Sequence, residues 1–405
     1  MNILFLSIGR LNNIEDRGLY TDLLRQFRDK GHNVYVVSSI EKRLHKPTEY
    51  VNENGVQFLR VKIGNIRNTN LIKKGISTIM IESLFLKAIK KYMENINFDL
   101  VIYSTPPITF GKVVRYVKKR DNARTYLLLK DIFPQNAVDL NMFSKNSLLH
   151  KYFKMKEKQL YALSNHIGCM SQGNVDFVIN NNTEVLPNTV EVCPNSITPV
   201  KVDRAETKIR NIRSKYNIPL DKTVFIYGGN LGKPQGIDFL INCLKTNKDN
   251  DDVYFVIAGS GTEFNKLSAF FNREKPKNAL LLSQMKKDDY EALANSCDVG
   301  LIFLDNRFTI PNFPSRLLTY MQASMPVLAA TDVNTDIGKV IVEGEFGYWC
   351  ESNNTKQFNK KLKQLCDNKL REQMGINARS YLEKNYTSRH SYEIIMSHFK
   401  YKEKR

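Results

Sequence analysis

No apolar run in this 405-residue chain approaches the roughly 18 residues that a membrane-spanning helix needs. The N-terminus, M-N-I-L-F-L-S-I-G-R, lacks a basic leader and a small-residue cleavage site, so it reads as a first buried strand. None of the six cysteines (Cys169, Cys193, Cys243, Cys297, Cys350, Cys366) lies in a C-x-x-C pair, which argues against a zinc or dithiol site. Scattered thiols without an export signal fit a reducing, cytoplasmic compartment. Carboxylates are scarce: 41 Asp and Glu stand against 60 Lys and Arg, a formal charge of +19. The excess is uneven. Residues 1–200 hold 28 basic and 17 acidic side chains, residues 201–355 hold 19 of each, and residues 356–405 hold 13 and 5. A basic surface of this kind suits an anionic substrate or an anionic membrane surface. Nucleic acid is disfavoured as the partner, because the basic residues lack interleaved aromatics and any known binding module.

What the chain does have is alternation of buried strands and amphipathic helices. The most informative stretch is Val224 to Leu240, V-F-I-Y-G-G-N-L-G-K-P-Q-G-I-D-F-L. Val224–Tyr227 reads as a buried strand. Gly228, Gly229 and Gly232 then form a glycine-rich turn with Lys233 in it, and a helix is expected from Gly236. Such a turn brings free N–H groups and the positive end of a helix dipole to a phosphate. The pattern is neither the dinucleotide fingerprint nor a P-loop.

Strands are expected at Ile3–Leu6, Val34–Val37, Val56–Val61, Leu100–Tyr103, Tyr126–Leu129 and Ile167–Met170. Strand, helix and strand within about 37 residues make a βαβ unit and a parallel sheet. Gly9 and Arg10 fall in the first loop. Residues 71–93 read as one amphipathic helix or a broken pair, apolar at the centre with lysines at both flanks; this suits a core helix or a membrane-surface helix. Residues 111–120 read as a helix with a basic solvent face, Lys112, Arg115, Lys118, Lys119 and Arg120. K-D-I-F-P-Q, Lys130–Gln135, ends one parallel strand, where ligands sit in doubly wound folds. Asn188–Pro199 reads as a linker. A second alternating set follows, with strands at Val224–Tyr227, Val253–Ile257, Ala279–Leu282, Val299–Phe303 and Val327–Ala329. Two α/β domains are therefore expected, with a cleft between them.

The motifs in their order resemble the retaining glycosyltransferases of family 4. Those carrying the likeness are G-H-N-V at 31–34, D-L-V-I-Y-S-T-P-P at 99–107, K-D-I-F-P-Q, G-G-N-L-G-K-P-Q-G, G-S-G-T-E at 259–263, Y-E-A-L-A-N-S-C-D-V-G-L at 290–301, and P-S-R-L-L-T-Y-M-Q-A-S-M-P-V-L-A-A at 314–330. Within that family the chain looks closest to the WbuB-like branch of bacterial surface-polysaccharide enzymes. The resemblance implies a GT-B fold: two Rossmann-like domains facing across a cleft, with a C-terminal helix crossing back to the first. It implies an acceptor-binding domain at 1–195, a nucleotide-sugar-binding domain at 196–385 and a basic tail helix at 386–405.

The same resemblance assigns roles. Lys233 and Arg316 would stabilise the departing nucleoside diphosphate, and Asp131 would orient a sugar hydroxyl or cap its loop. Gly229, Asn230, Gly232, Gly261, Glu263, Ser315 and Thr319 would contact the nucleotide. The donor would be a nucleotide sugar, UDP-linked, as co-substrate, and the acceptor a lipid-linked or oligosaccharide molecule in capsule or O-antigen synthesis. The basic surface would hold the protein on the inner face of the cell membrane. No metal is expected, because no Asp-x-Asp motif stands in a candidate loop. The chain departs from the family pattern where two glutamates are usual: Pro311 and Thr319 stand there. The usual Arg and Lys of the phosphate loop are Asn230 and Gln235. Two other readings stay open: another GT-B enzyme such as a sugar-nucleotide epimerase, or a non-catalytic GT-B partner. An epimerase would want acid/base carboxylates and histidines in the cleft, and His32, His45, His150, His166, His390 and His398 fall outside the strong loops.

Overall fold

The computed structural model describes residues 1–9, 11–66 and 71–399, without the side chains of Leu71, Ile72 and Lys74. Arg10 and the tail residues 400–405, Lys404 among them, lie outside the described residues. The chain forms two compact units, Met1–Thr198 with Thr387–Arg405, and Pro199–Tyr386.

The first unit runs β1 (Asn2–Leu6), α1 (Leu19–Asp29), β2 (Asn33–Glu41), β3 (Glu49–Glu53), β4 (Val56–Ile63), α2 (Leu71–Tyr92), β5 (Leu100–Ser104), α3 (Gly111–Asp121), β6 (Arg124–Leu129), α4 (Gln135–Asp139), α5 (Leu148–Leu163), β7 (His166–Cys169), α6 (Gln172–Asn181) and β8 (Val190–Val192). Its sheet has the order β3-β4-β2-β1-β5-β6-β7-β8, parallel except where β3 meets β4. The central strands are continuous apolar runs because helices cover both faces, so alternation has no solvent side to mark. Chain order reverses between β1 and β5.

The second unit runs α7 (Glu206–Lys215), β9 (Thr223–Asn230), α8 (Ile237–Thr246), β10 (Val253–Ser260), α9 (Phe264–Glu274), β11 (Ala279–Leu282), α10 (Lys287–Asn295), β12 (Val299–Phe303), α11 (Arg316–Gln322), β13 (Val327–Thr331), α12 (Ile337–Glu343), β14 (Gly347–Glu351), α13 (Thr355–Gln364) and α14 (Asn368–Asn385). Its six strands are all parallel, in the order β11-β10-β9-β12-β13-β14. The reversal falls between β9 and β12.

Several expectations change. Asn188–Pro199 is not all linker, since Val190–Val192 adds an eighth strand beside β7. Gly228 and Gly229 do not form a turn: they continue β9 and pair with Ala258 and Gly259 of β10. β3 and β14 lack the β-branched runs that would announce them. The basic face of α3 is not uniformly solvated. Lys118 donates to the Leu163 carbonyl, and Arg120 donates to the carbonyls of Met93 and Ile96. Residues 71–92 form one helix.

The last helix, α15 (Ser388–Ser397), belongs to the first unit. Thr387 bridges to Ile197, and the Ser388 N–H donates to the Ile197 carbonyl at 2.9 Å. Tyr392 packs edge-on against Phe27 and meets His32 Nε2 at 3.0 Å. His398 stacks on His166 with ring centroids 3.6 Å apart, and its Nε2 lies 2.8 Å from Glu191. The Tyr126 hydroxyl donates to the same carboxylate at 2.7 Å. Burial, the neighbouring His398 and Arg124 push the His166 pKa down, while Glu191 opposes them. Burial and the N-terminal ammonium push His32 down, against Asp99.

A depressed histidine pKa means that the fold prefers the neutral ring, so its contribution is complete above the unfolded value of about 6.5 and fades as pH falls below it. Tryptic cleavage at Arg389 in α15 should therefore speed up between pH 7.5 and pH 5, normalised to a peptide control. His166→Phe should flatten that dependence. A pH-independent rate in the wild type would refute the account.

Candidate active site

In an open α/β sheet, ligands sit outside the carboxyl ends of the strands where chain order reverses. In the second unit this is the β9–β12 junction. There β9 and β12 pair only at Val299 with Phe225 and Gly300 with Ile226, and then part. On its other side β9 stays paired with β10 for eight residues, to Asn230. The Tyr320 hydroxyl spans the opening junction, donating to the Ile226 and Leu301 carbonyls at 3.2 and 3.0 Å. Gly300 leaves room for that ring: a Cβ there would lie 2.3 Å from it. Gly228 does the same for Tyr290, whose hydroxyl would be 2.0 Å from such a Cβ.

Arg316 opens α11 beside the parted strands. Its guanidinium carbon lies 4.2 Å from the centre of the Tyr227 ring. Its Nη2 is the nearest neighbour of the position a Gly229 Cβ would take, at 3.9 Å, and Gly229 has a φ of +117°. Among the described residues no carboxylate lies within ion-pair distance of Arg316, and its Nη1 is shut off from solvent without a hydrogen-bond partner. Arginines held out of water normally have a counter-charge. For the half-buried Arg316 the face of Tyr227 takes its place, a cation–π arrangement that leaves the positive charge uncancelled. Burial raises the Tyr227 and Tyr290 pKa values, Tyr290 to about 12, and Arg316 tempers both shifts. Thr319 sits one helical turn after Arg316, half-buried, and Ser315 is exposed just before it.

The other expected contacts lie along the loop after β9. Gln235 Oε1 accepts from the Gly232 N–H and from the Asn230 amide, at 3.3 and 3.1 Å. The loop thus satisfies its own donors with a carboxamide oxygen, the kind of acceptor a phosphate oxygen would replace. Gly261 and Gly259 serve close packing of backbone on backbone. A Cβ on Gly261 would lie 2.3 Å from the Leu231 carbonyl oxygen. Lys233 and Glu263 line a hollow of about 460 Å³ with Ile237, Asp238, Lys266, Asp305 and Arg307. Asp238 pairs with Lys266, and Asp305 with Arg307 at 2.8 Å; Lys233 has no ion pair among the described residues. Glu263 occupies the N-cap position of α9 without a side-chain capping bond. So Arg316, Gly229, Ser315 and Thr319 gather at the strand opening, while Lys233, Glu263 and Gly261 follow the β9–β10 side.

In the first unit Asp131 follows β6 directly, fixed by Thr105. The Thr105 hydroxyl accepts from the N–H groups of Lys130 and Asp131 and donates to the Asp131 carbonyl. The Asn136 amide donates to the Asp131 carboxylate at 2.8 Å. Burial pushes the Asp131 pKa up to about 6, against that hydrogen bond. Lys130 is pushed down to about 8 by burial, and its Nζ donates to the Cys193 carbonyl at 3.2 Å. A carboxylate titrating near neutrality is matched to proton transfer. The roles of Tyr227, Tyr290, Tyr320, Thr105 and Gln235 escape sequence reasoning.

One Asp-x-Asp triplet does occur, Asp249–Asn250–Asp251. It precedes β10, at the amino end of that strand, and Asp251 is fully exposed beside Lys222. Among the described residues no three His, Cys, Asp or Glu side chains converge as a metal site would require.

Residues 208–381 match the family described as glycosyl transferases group 1. The probable glycosyltransferase WbjE of Pseudomonas aeruginosa is 22% identical over 332 residues, 80% of either chain. Among solved structures, WaaG, a glycosyltransferase involved in lipopolysaccharide biosynthesis, superposes with a TM-score of 0.66 at 14% identity, covering 97% of this chain and 99% of that one. Anabaena Alr3699/HepE, solved with UDP and glucose, superposes with a TM-score of 0.71 at 15% identity, covering 98% and 99%. The fold is that of these GT-B structures, two α/β units with parallel sheets, and the residues that match the group 1 family lie within the second unit.

Asp131 gives this site a stability test. Holding a charge in a buried place costs folding energy, so a neutral isostere should stabilise. The cost appears as pH rises from the unfolded value of 3.8 to about 6 and is complete above that. Asp131→Asn should gain about 1–3 kcal/mol at pH 7.5 and little at pH 4, measured by urea unfolding. An equal gain at both pH values would contradict the assignment.

Proposed function

We propose that this glycosyltransferase moves a sugar from a UDP-linked donor to a lipid-linked or saccharide acceptor of a bacterial surface polysaccharide, such as capsule or O-antigen, with retention at the anomeric carbon. The observation that carries the donor half is the uncancelled guanidinium of Arg316 at the parted ends of β9 and β12. As the glycosidic bond stretches, the nucleoside diphosphate gathers negative charge, and a fixed cation in a poorly solvated place stabilises it strongly. Arg316 and Lys233 take this role. The backbone of Gly229, Asn230, Gly232 and Ser315 donates to the phosphates, displacing the Gln235 carboxamide from the loop. Gly261, Glu263 and Thr319 face the nucleotide, Thr319 in place of the usual ribose-binding glutamate. Asp131, charged above about pH 6, accepts from the acceptor hydroxyl and orients it. The UDP and glucose of the HepE structure support a UDP-sugar as donor. The part that WaaG plays in lipopolysaccharide synthesis supports a surface-polysaccharide product. The basic composition supports work beside an anionic membrane, on its cytoplasmic face. No described helix is long and apolar enough to cross one.

A panel of nucleotide sugars, ranked by thermal shift and then tested for turnover on lipid-linked acceptors, examines the reading directly. Arg316→Ala and Lys233→Ala should each lower the transfer rate by roughly 10²-fold or more. Wild-type rates in folded variants would remove both from the mechanism. An epimerase would interconvert the nucleotide sugars without an acceptor, and a non-catalytic partner would turn over none.

Because cations of the chain itself are assigned the work of a metal, turnover should persist in excess EDTA. Loss in EDTA with rescue by magnesium or manganese would overturn that assignment.

A further inference from the structure

Among the described residues, seven of the fourteen large apolar side chains exposed to solvent fall in two segments, α2 and residues 142–155. Ile76, Ile79 and Met80 are 56%, 52% and 50% exposed, and Met142 and Leu148 are 62% and 86% exposed. Such clustering is unusual on a surface where apolar exposure is normally scattered.

Topology brings both segments to one edge of the first sheet. α2 follows the carboxyl end of β4, and Gly64 there is so close to Ser77 that a Cβ would lie 2.2 Å from its hydroxyl. α5 follows the loop after β6, where Phe133, two residues beyond Asp131, stacks edge-on with Phe153 at 4.9 Å. Lys156 of α5 bonds to Glu82 of α2 at 3.3 Å, which sets the two helices in register. Ile76 and Leu149 lie six and seven residues before that tie. Both helices begin beyond the carboxyl ends of the strands they follow, so their first turns, with Ile76 and Leu149, lie on the side of the sheet that holds Asp131.

The charges on these segments point one way. α2 and residues 140–163 contain only two carboxylates, Glu82 and Glu157, and both are buried. Lys87, Lys145 and Lys151 are exposed. The surface therefore offers apolar side chains and cations without anions. A second copy of this chain would set the same cations against Lys87, Lys145 and Lys151. An anionic bilayer offers hydrocarbon and negative headgroups together, which is the complement of this face.

We propose that the rim formed by α2 and the start of α5 docks on an anionic lipid bilayer, with Ile76, Ile79, Met80 and Leu148 entering the headgroup boundary. The carboxyl edge of the first sheet, with Asp131, then lies close to the membrane surface. That this edge receives a lipid-linked acceptor rests on the transferase reading; the docking itself does not.

The test uses the full-length protein with vesicles of phosphatidylglycerol and phosphatidylcholine, and with phosphatidylcholine alone. Wild type should bind the mixed vesicles at low salt, retain a salt-resistant fraction, and bind the neutral vesicles weakly. Ile79→Ser/Met80→Ser/Leu148→Ser should lower the salt-resistant binding about tenfold or more. Its melting temperature and its hydrolysis of a UDP-sugar without acceptor should match wild type. Lys145→Glu/Lys151→Glu should lower the low-salt binding and leave the neutral-vesicle signal unchanged. Unchanged binding in the serine variant, or none in the wild type, overturns the proposal. So does a wild-type dimer in sedimentation that the serine variant breaks while vesicle binding persists. A wild type that binds vesicles but consumes no nucleotide sugar overturns the transferase reading and leaves the docking face in place.

Discussion

The second unit depends on one unresolved charge. Arg316 sits where β9 and β12 stop pairing, against an aromatic face and, among the described residues, without a carboxylate in ion-pair reach. A buried ion pair would neutralise this cation and remove its value to an anionic ligand. Aromatic faces stabilise the guanidinium while leaving its field intact. The surrounding choices follow from that arrangement. Gly228 and Gly300 have no side chain because Tyr290 and Tyr320 need the space. Tyr320 closes the sheet at the point where the ladder ends, bonding to both strands.

The first unit uses the opposite device. Asp131 is held by a threonine hydroxyl and an asparagine amide, not by a cation, so its carboxylate keeps a proton to near neutrality. Its neighbour Lys130 is turned away to the Cys193 carbonyl and does not pair with it. Two adjacent ionisable groups thus have pKa values drawn toward each other by burial alone. The same unit takes in the last helix through a cluster of aromatic and histidine rings, so the end of the chain is part of the first fold.

Much of this was legible in the order of residues. The alternating apolar runs marked both sheets, while the glycine stretch set the end of β9 too early, at Tyr227 where the strand runs on to Asn230. Lys130 and Asp131 were placed correctly at a carboxyl edge, because a parallel strand announces where it stops. The charge pattern was less readable. Five basic residues on α3 looked like one solvated face, yet Lys118 and Arg120 cap the carbonyls of neighbouring segments. Composition counts charges and says nothing of which carbonyl each one meets. Residues 71–93 read as a core helix or as a membrane-surface helix. The fold buries Phe85 and Ile89 against the first unit and leaves Ile76 and Met80 exposed.

By itself the sequence determined the class of fold, the parallel strands and the positions of the two loops that end in Asp131 and Gly232. Those features are local, set by apolar runs, glycine and helix-start patterns within ten or so residues. Only the tertiary structure decided which strands part and which stay paired. It showed that Gly228 and Gly229 belong to a strand, that Tyr290 and Tyr320 surround Arg316, and that Gln235 fills its own loop. Each of these depends on residues far apart in the chain meeting across a sheet. Spacing along one strand does not specify its partner on the next.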